Sequence, residues 1–227
     1  MAPTDSRGVA IRDVTLVVAV SLMYLGFEVL NIPKRWSFLF AGLALGAYLL
    51  YLAVRRPHSW HDLGFRRDNL IAGLLPVGVC TVVGAGLVAF GVVQGRAVWQ
   101  PAVLVLLALY PFWALAQQFA FQGLFHGGVK VLVQSPYLQV LLTAAAFASV
   151  HVGNATLFAL TFVAGIMWSL LYRRWPNLWL LAGSHTILAA LAYPLVLGMR
   201  HSPGSNRGPP VLDTVKAIGS VLRVVGC

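Results

Sequence analysis

Acid is what this sequence has least of. Six of its 227 residues are Asp or Glu, and Glu28 is the single glutamate. Charged residues of both signs together make up 10% of the chain, against roughly 25% in a soluble domain. So little polar material cannot cover a surface in water, which excludes a soluble globular fold. Disorder is excluded from the other side: disordered chains have low hydrophobicity, and 59% of the residues here are hydrophobic. Cysteine is equally scarce. Cys80 lies inside an apolar run and Cys227 is the last residue, so no disulfide framework is expected. Cys227 also lacks the following residues that a CaaX prenylation site needs. No internal repeat and no soluble domain is visible.

What the sequence holds in quantity is apolar runs. Mean hydropathy is +0.81, and at about 20 residues per crossing the chain has room for about seven or eight spans. The runs are 14–30, 37–54, 70–93, 101–133, 137–150, 157–172 and 178–197. They predict an all-α fold, a polytopic membrane helix bundle. The first run is longer than a signal-peptide core and no small-residue cleavage pattern follows it, so it reads as an uncleaved span. The run 101–133 is too long for one straight crossing. Pro111 within it predicts a kink or a helix start, and an eighth crossing hidden there stays open. Residues 1–13 form an N-terminal segment and 14–198 the bundle. Residues 199–227 form a linker rich in Gly, Pro and Ser, followed by a mildly amphipathic stretch, 211–225, suited to a membrane interface.

The formal charge of +10 does not point to nucleic acid, because the basic residues sit in short clusters between apolar runs. With the N-terminus inside, the inner loops hold Arg7, Arg12, Arg55, Arg56, Arg66, Arg67, Lys130, Arg173 and Arg174. The outer loops hold Lys34, Arg35 and Arg96, the C-terminal tail left aside. That asymmetry predicts a cytoplasmic N-terminus in a bacterial inner (plasma) membrane.

In a bilayer the informative residues are the polar ones, since an amide or ionisable group in a span is costly and usually faces a partner or a cavity. Three clusters stand out: Gln117, Gln118 and Gln122; Ser149 and His151; and Ser184, His185 and Thr186. Gln118 and Gln122 are four apart and would share one face of an α-helix. Each cluster alone reads as interhelical hydrogen bonding. Together they predict a polar bundle interior fed from three helices.

The order and spacing of these clusters resemble the CPBP family of intramembrane endopeptidases, which includes type II CAAX prenyl proteases. The resemblance runs from about 111 to 194. That family carries EExxxRG, then FxxxH, then HxxxN on successive spans. Here Gln117-Gln118-Phe119-Ala120-Phe121-Gln122-Gly123 stands at the first motif. Phe147 to His151 matches the second intact. His185 matches the third, with Ala189 at the Asn position. The flanking 63–67 and 171–174 stretches also fit. The resemblance implies that the first Glu acts as base, activating a water together with the FxxxH histidine, while the later His and Asn stabilise an oxyanion.

The departures bear on that chemistry. An amide keeps the shape and reach of Glu but has no titratable proton acceptor, and losing a general base typically costs 10²–10⁴-fold. Charge is lost in concert, since the arginine position is Gln122, which keeps a low-dielectric site neutral. Glu28 has two readings, as a partner for Lys34 and Arg35 or as a replacement base. His151 acting as base, with Gln117 orienting the water and His185 polarising a carbonyl, is a third option. No metal or other cofactor is expected: His151 and His185 supply two ligands where catalytic zinc commonly has three, and His126 stands about 12 Å beyond Gln118 along a helix.

Two classes of function follow. One is an intramembrane endopeptidase that cuts near the C-terminal anchor of a lipidated or exported membrane protein, including a myxosortase-like role in protein sorting. The other is a pseudoprotease that keeps the cavity to bind or regulate a membrane protein partner. The partners implied are a membrane protein or lipidated peptide and the lipid bilayer, not nucleic acid. Convergence of Gln117, His151 and His185 on one water would support either class.

Overall fold

The computed structural model describes residues 3–55, 59–93 and 101–192. Its helices are α1 (Pro3–Val29), α2 (Lys34–Arg55), the short α3 (Ser59–Asp62), α4 (Leu70–Val93), α5 (Pro101–Gln118), α6 (Gly127–Leu132), α7 (Pro136–Ser149), α8 (Ala155–Arg174) and α9 (Leu178–Ala192). A π-helix, Phe119–His126, joins α5 to α6. No strand occurs among the described residues. Helix-only secondary structure is what a bilayer demands, because each spanning segment must satisfy its own backbone hydrogen bonds.

The outside of the bundle is apolar. Ile71 is 86% exposed and Leu22 63%, surfaces that suit lipid and not water. Stretches in α1 (Ser6–Val29) and α2 (Arg35–Arg55), and the whole of α8, are long and apolar enough to cross a membrane; α7 and α9 are shorter apolar helices. The chain is an integral membrane protein. The interior is built from Phe119, Phe121, Leu124, Phe147, Trp168 and Leu178. Helix α9 packs against α4 and α5, α7 against α8, and α1 against α2 and α6.

Two expectations change here. The first helix begins at Pro3, not at residue 14, because its polar first turns simply extend the helix. Asp13 is therefore not a loop residue. It is buried, accepting from Tyr48 of α2 and, at 3.4 Å, from Arg12, whose Nε donates to the Tyr48 hydroxyl at 2.8 Å. The second change concerns 101–133. The helix does not start at Pro111 but runs through it, and residues 101–132 form one unbroken helical run, leaving no second crossing there. The departure from α geometry comes later, in the π-helix. The linker and amphipathic stretch at 199–227 lie outside the described residues.

The loops show why the ends of the bundle differ. At one end, the stretch after α3 is locked to the turn before α9. Tyr172 donates to the Leu63 carbonyl at 2.8 Å, Leu178 N–H to the Gly64 carbonyl at 2.8 Å, and Asn177 to Asn69 at 2.7 Å. Asn177 also caps α9 through Leu180 N–H at 3.1 Å. Gly64 has φ +90°, and a Cβ there would stand 2.8 Å from Tyr172, so a side chain is excluded by conformation and by space. Gly128 of α6 lies against the Ala10 carbonyl of α1 at this same end. Arg12, Arg66, Lys130 and Arg173 all belong to it. In the exposed loop, Arg66 donates Nε to Asp68 at 3.1 Å, and this bond holds the Asp68 carboxyl down at about 2.

Candidate active site

A cavity of about 260 Å³ opens between α1, α2, α5 and the turn that joins α7 to α8. Each helix contributes one stripe. Val17, Ser21, Tyr24 and Glu28 line it from α1, and Tyr110, Trp113 and Gln117 from α5, at the three- and four-residue spacings of a single helical face. Phe38 of α2 packs edge-on against Trp113 at 4.7 Å. The fourth wall is His151, Gly153 and Asn154.

That wall exists because α7 is short. It has 14 residues, about 21 Å at 1.5 Å per residue, against a hydrocarbon core of about 30 Å. Ser135 caps its start by accepting from Leu138 N–H at 3.4 Å, Pro136 occupies the first turn, and the chain leaves the helix after Ser149. Asn154 then caps α8, accepting from Leu157 N–H at 3.0 Å. The turn 150–154 thus follows a helix too short to span the hydrocarbon core alone. This is how His151, at the end of its helix, reaches the depth of Gln117, midway along its own: the early end of α7 does what a helix start at Pro111 was expected to do.

The motif side chains divide into two groups. Gln117 is 7% exposed and shares the cavity with His151. Gln118 and His185 are buried behind it, with Gln118 Nε2 3.4 Å from His185 Nδ1. Phe147 stands against both histidines, with ring centroids 5.8 Å from His151 and 5.6 Å from His185. Trp168 packs on His185 at 4.5 Å and donates to Ser184 Oγ at 3.0 Å. His185 does not line the cavity; it meets it through Tyr110, whose hydroxyl is 3.4 Å from His185 Nε2. Ala189, one turn past His185, is buried and lies off the cavity.

Gln118 and Gln122 reach two neighbouring helices. Gln118 meets α9, while Gln122 donates to Ser169 Oγ of α8 at 3.2 Å. Gln122 lies in the π-helix, where backbone hydrogen bonds close over five residues in place of four. Such insertions recur at functional sites. The side-chain oxygens of Gln117, Gln118 and Gln122 are buried and accept no hydrogen bond from the described residues. His126, further along, is fully buried with Nδ1 2.9 Å from Thr143 Oγ1, a structural contact. Among the described residues no three His, Cys, Asp or Glu side chains are grouped as a metal ion would need.

The sequence analysis did not single out Tyr110, and it gave Glu28 two readings without placing it on the wall with Gln117 and His151. Both were readable by helical spacing: Tyr110 is seven residues before Gln117, and Glu28 is four after Tyr24 and eleven after Val17.

Residues 98–191 match the family model described as type II CAAX prenyl endopeptidase Rce1-like, a match that spans less than half of the chain and contains all three motif helices. No curated protein matches the chain, and no solved structure does.

Proposed function

We propose, on the premise that this chain is a member of the CPBP family of intramembrane endopeptidases through its residues 98–191, that it cuts a membrane-anchored protein within the cavity between α1 and α5. One observation carries this reading: the intact FxxxH histidine, His151, and Gln117, at the family's first Glu position, line the same cavity. His151 takes the proton of a water that Gln117 orients through its amide. Tyr110, which lines the cavity and lies 3.4 Å from His185, offers its hydroxyl to the substrate carbonyl, with His185 and Gln118 supporting it from behind. An unpartnered, nine-tenths-buried amide oxygen on the cavity wall suits a backbone N–H of an extended substrate segment.

The substrate class is a lipidated or exported protein cut near its C-terminal anchor, as a sorting enzyme of myxosortase type would do. The basic end of the bundle faces the cytoplasm of a bacterial inner membrane. Glu28, His151 and Asn154 lie at the other end, so the cavity opens away from the cytoplasm. This favours an exported anchor over a cytosolic prenylated one.

A second reading has its own observation. Neither Gln117 nor Gln118 titrates, and Ala189 offers no hydrogen bond, which fits a pseudoprotease that grips a membrane partner in the same cavity. The two readings part on cleavage. Purified protein in proteoliposomes, given peptides with an apolar C-terminal anchor and a farnesylated CAAX peptide, is expected to cut one class, with the activity lost in His151→Ala. Tight binding with no product by mass spectrometry would transfer the conclusion to the pseudoprotease.

A further inference from the structure

We propose that Glu28 supplies the carboxylate that the first motif has lost, and that it works with His151 as the proton-accepting pair of the cavity. The inference rests on the hydrolytic reading above. Six acidic residues occur in the whole chain. Of those whose side chains are described, Asp13 is bound to Tyr48 and Arg12, Asp68 to Arg66, and Asp62 lies 3.8 Å from His61. Glu28 alone among them lines the cavity.

Its placement is fixed from two sides. On α1 it continues the stripe of Ser21 and Tyr24 that forms the cavity wall. Across the cavity its Oε1 lies 3.6 Å from where a Cβ on Gly153 would stand. Gly153 is two residues past His151, so the carboxylate lies against the turn that carries the histidine. Glu28 is exposed, one residue before the end of α1. Among the described residues, the titratable groups that line the cavity are Tyr24, Tyr110, His151 and Glu28.

The step balances without a cofactor. The Glu28–His151 pair takes one proton from water as its oxygen bonds to the substrate carbonyl carbon. When the tetrahedral intermediate collapses, the C–N bond breaks and the same proton goes to the leaving nitrogen. An acid and an amine are released, and the pair returns to its starting state. A carboxylate brought from α1 in place of one on α5 gives the same proton inventory from a different wall. It also accounts for an arginine position that holds Gln122: with no carboxylate buried on that helix, no guanidinium is needed beside it.

The test uses the full chain in proteoliposomes and two fluorogenic probes, an anchored C-terminal peptide and a farnesylated CAAX peptide. Glu28→Gln is expected to lower kcat by 10²–10⁴-fold with little change in KM. Glu28→Asp keeps part of the rate. Formate restores part of the activity of Glu28→Ala, which a structural role would not allow. Adding Gln117→Glu to Glu28→Gln returns cleavage by putting the carboxylate back on α5. Wild-type cleavage that survives Glu28→Gln unchanged overturns the role of Glu28 and leaves the hydrolytic reading standing. An inert wild type that gains cleavage with Gln117→Glu overturns both, and identifies a pseudosite that one carboxylate revives.

Discussion

Gln122 shows at the scale of one residue what the loss of charge leaves behind. Its Nε2 donates to Ser169 at 3.2 Å, while its carbonyl oxygen is buried without a donor among the described residues. Two polar groups in a low-dielectric interior are worth something only as a pair. Ser169→Ala should therefore destabilise the protein by about 1 kcal/mol, since it strands the amide. Ser169→Ala combined with Gln122→Leu should recover most of that loss. Thermal unfolding in detergent reads the difference, and a double variant less stable than Ser169→Ala alone would contradict the account. The motif residues were legible in the sequence because family order and helical spacing point to them. Their partners on other helices were not, because Ser169 and Trp168 lie on faces that only the packed bundle brings together.

At the scale of the element, the sequence marks where helices run and says less about where they bend. Ser135-Pro136, Asn154 and Asn177-Leu178 are capping signals that the structure uses as such. Pro111 looked like the strongest interruption in 101–133, yet its missing N–H is absorbed within a continuous helix. The real irregularity, the π-helix, has no proline to announce it; the packing of its fully buried residues selects it. The same contrast appears at Gly64. In sequence it is one glycine among 22, whereas in the fold it sits at φ +90° under Tyr172 and joins the loop after α3 to α8 and α9. Gly64→Ala should cost about 1–3 kcal/mol through strain alone, measured as a lowered midpoint of thermal unfolding. Gly8, which a Cβ would leave in open space, is the control and should change little when replaced by alanine.

For the whole molecule, the scarcity of acid has a geometry. The basic loops gather at the end where Gly64, Asn69 and Asn177 tie the chain together, and the cavity opens at the opposite end, where Glu28 meets Gly153. Function and orientation are therefore linked. If the basic end is cytoplasmic, Glu28, Gly153 and Asn154 lie toward the outside, the side on which the exported substrates proposed above would be met. Sequence charge alone proposed the orientation but could not connect it to a cavity, because that link depends on α1, α7 and the turn at 150–154 ending together. With Cys80 and Cys227 replaced by serine, Asn154→Cys should react with a membrane-impermeant maleimide added to intact spheroplasts. Arg67→Cys, at the basic end, should react only after the membrane is opened. The reverse pattern would place the cavity in the cytoplasm and return cytosolic prenylated proteins to the front of the substrate list, while leaving the pairing of Glu28 with His151 untouched.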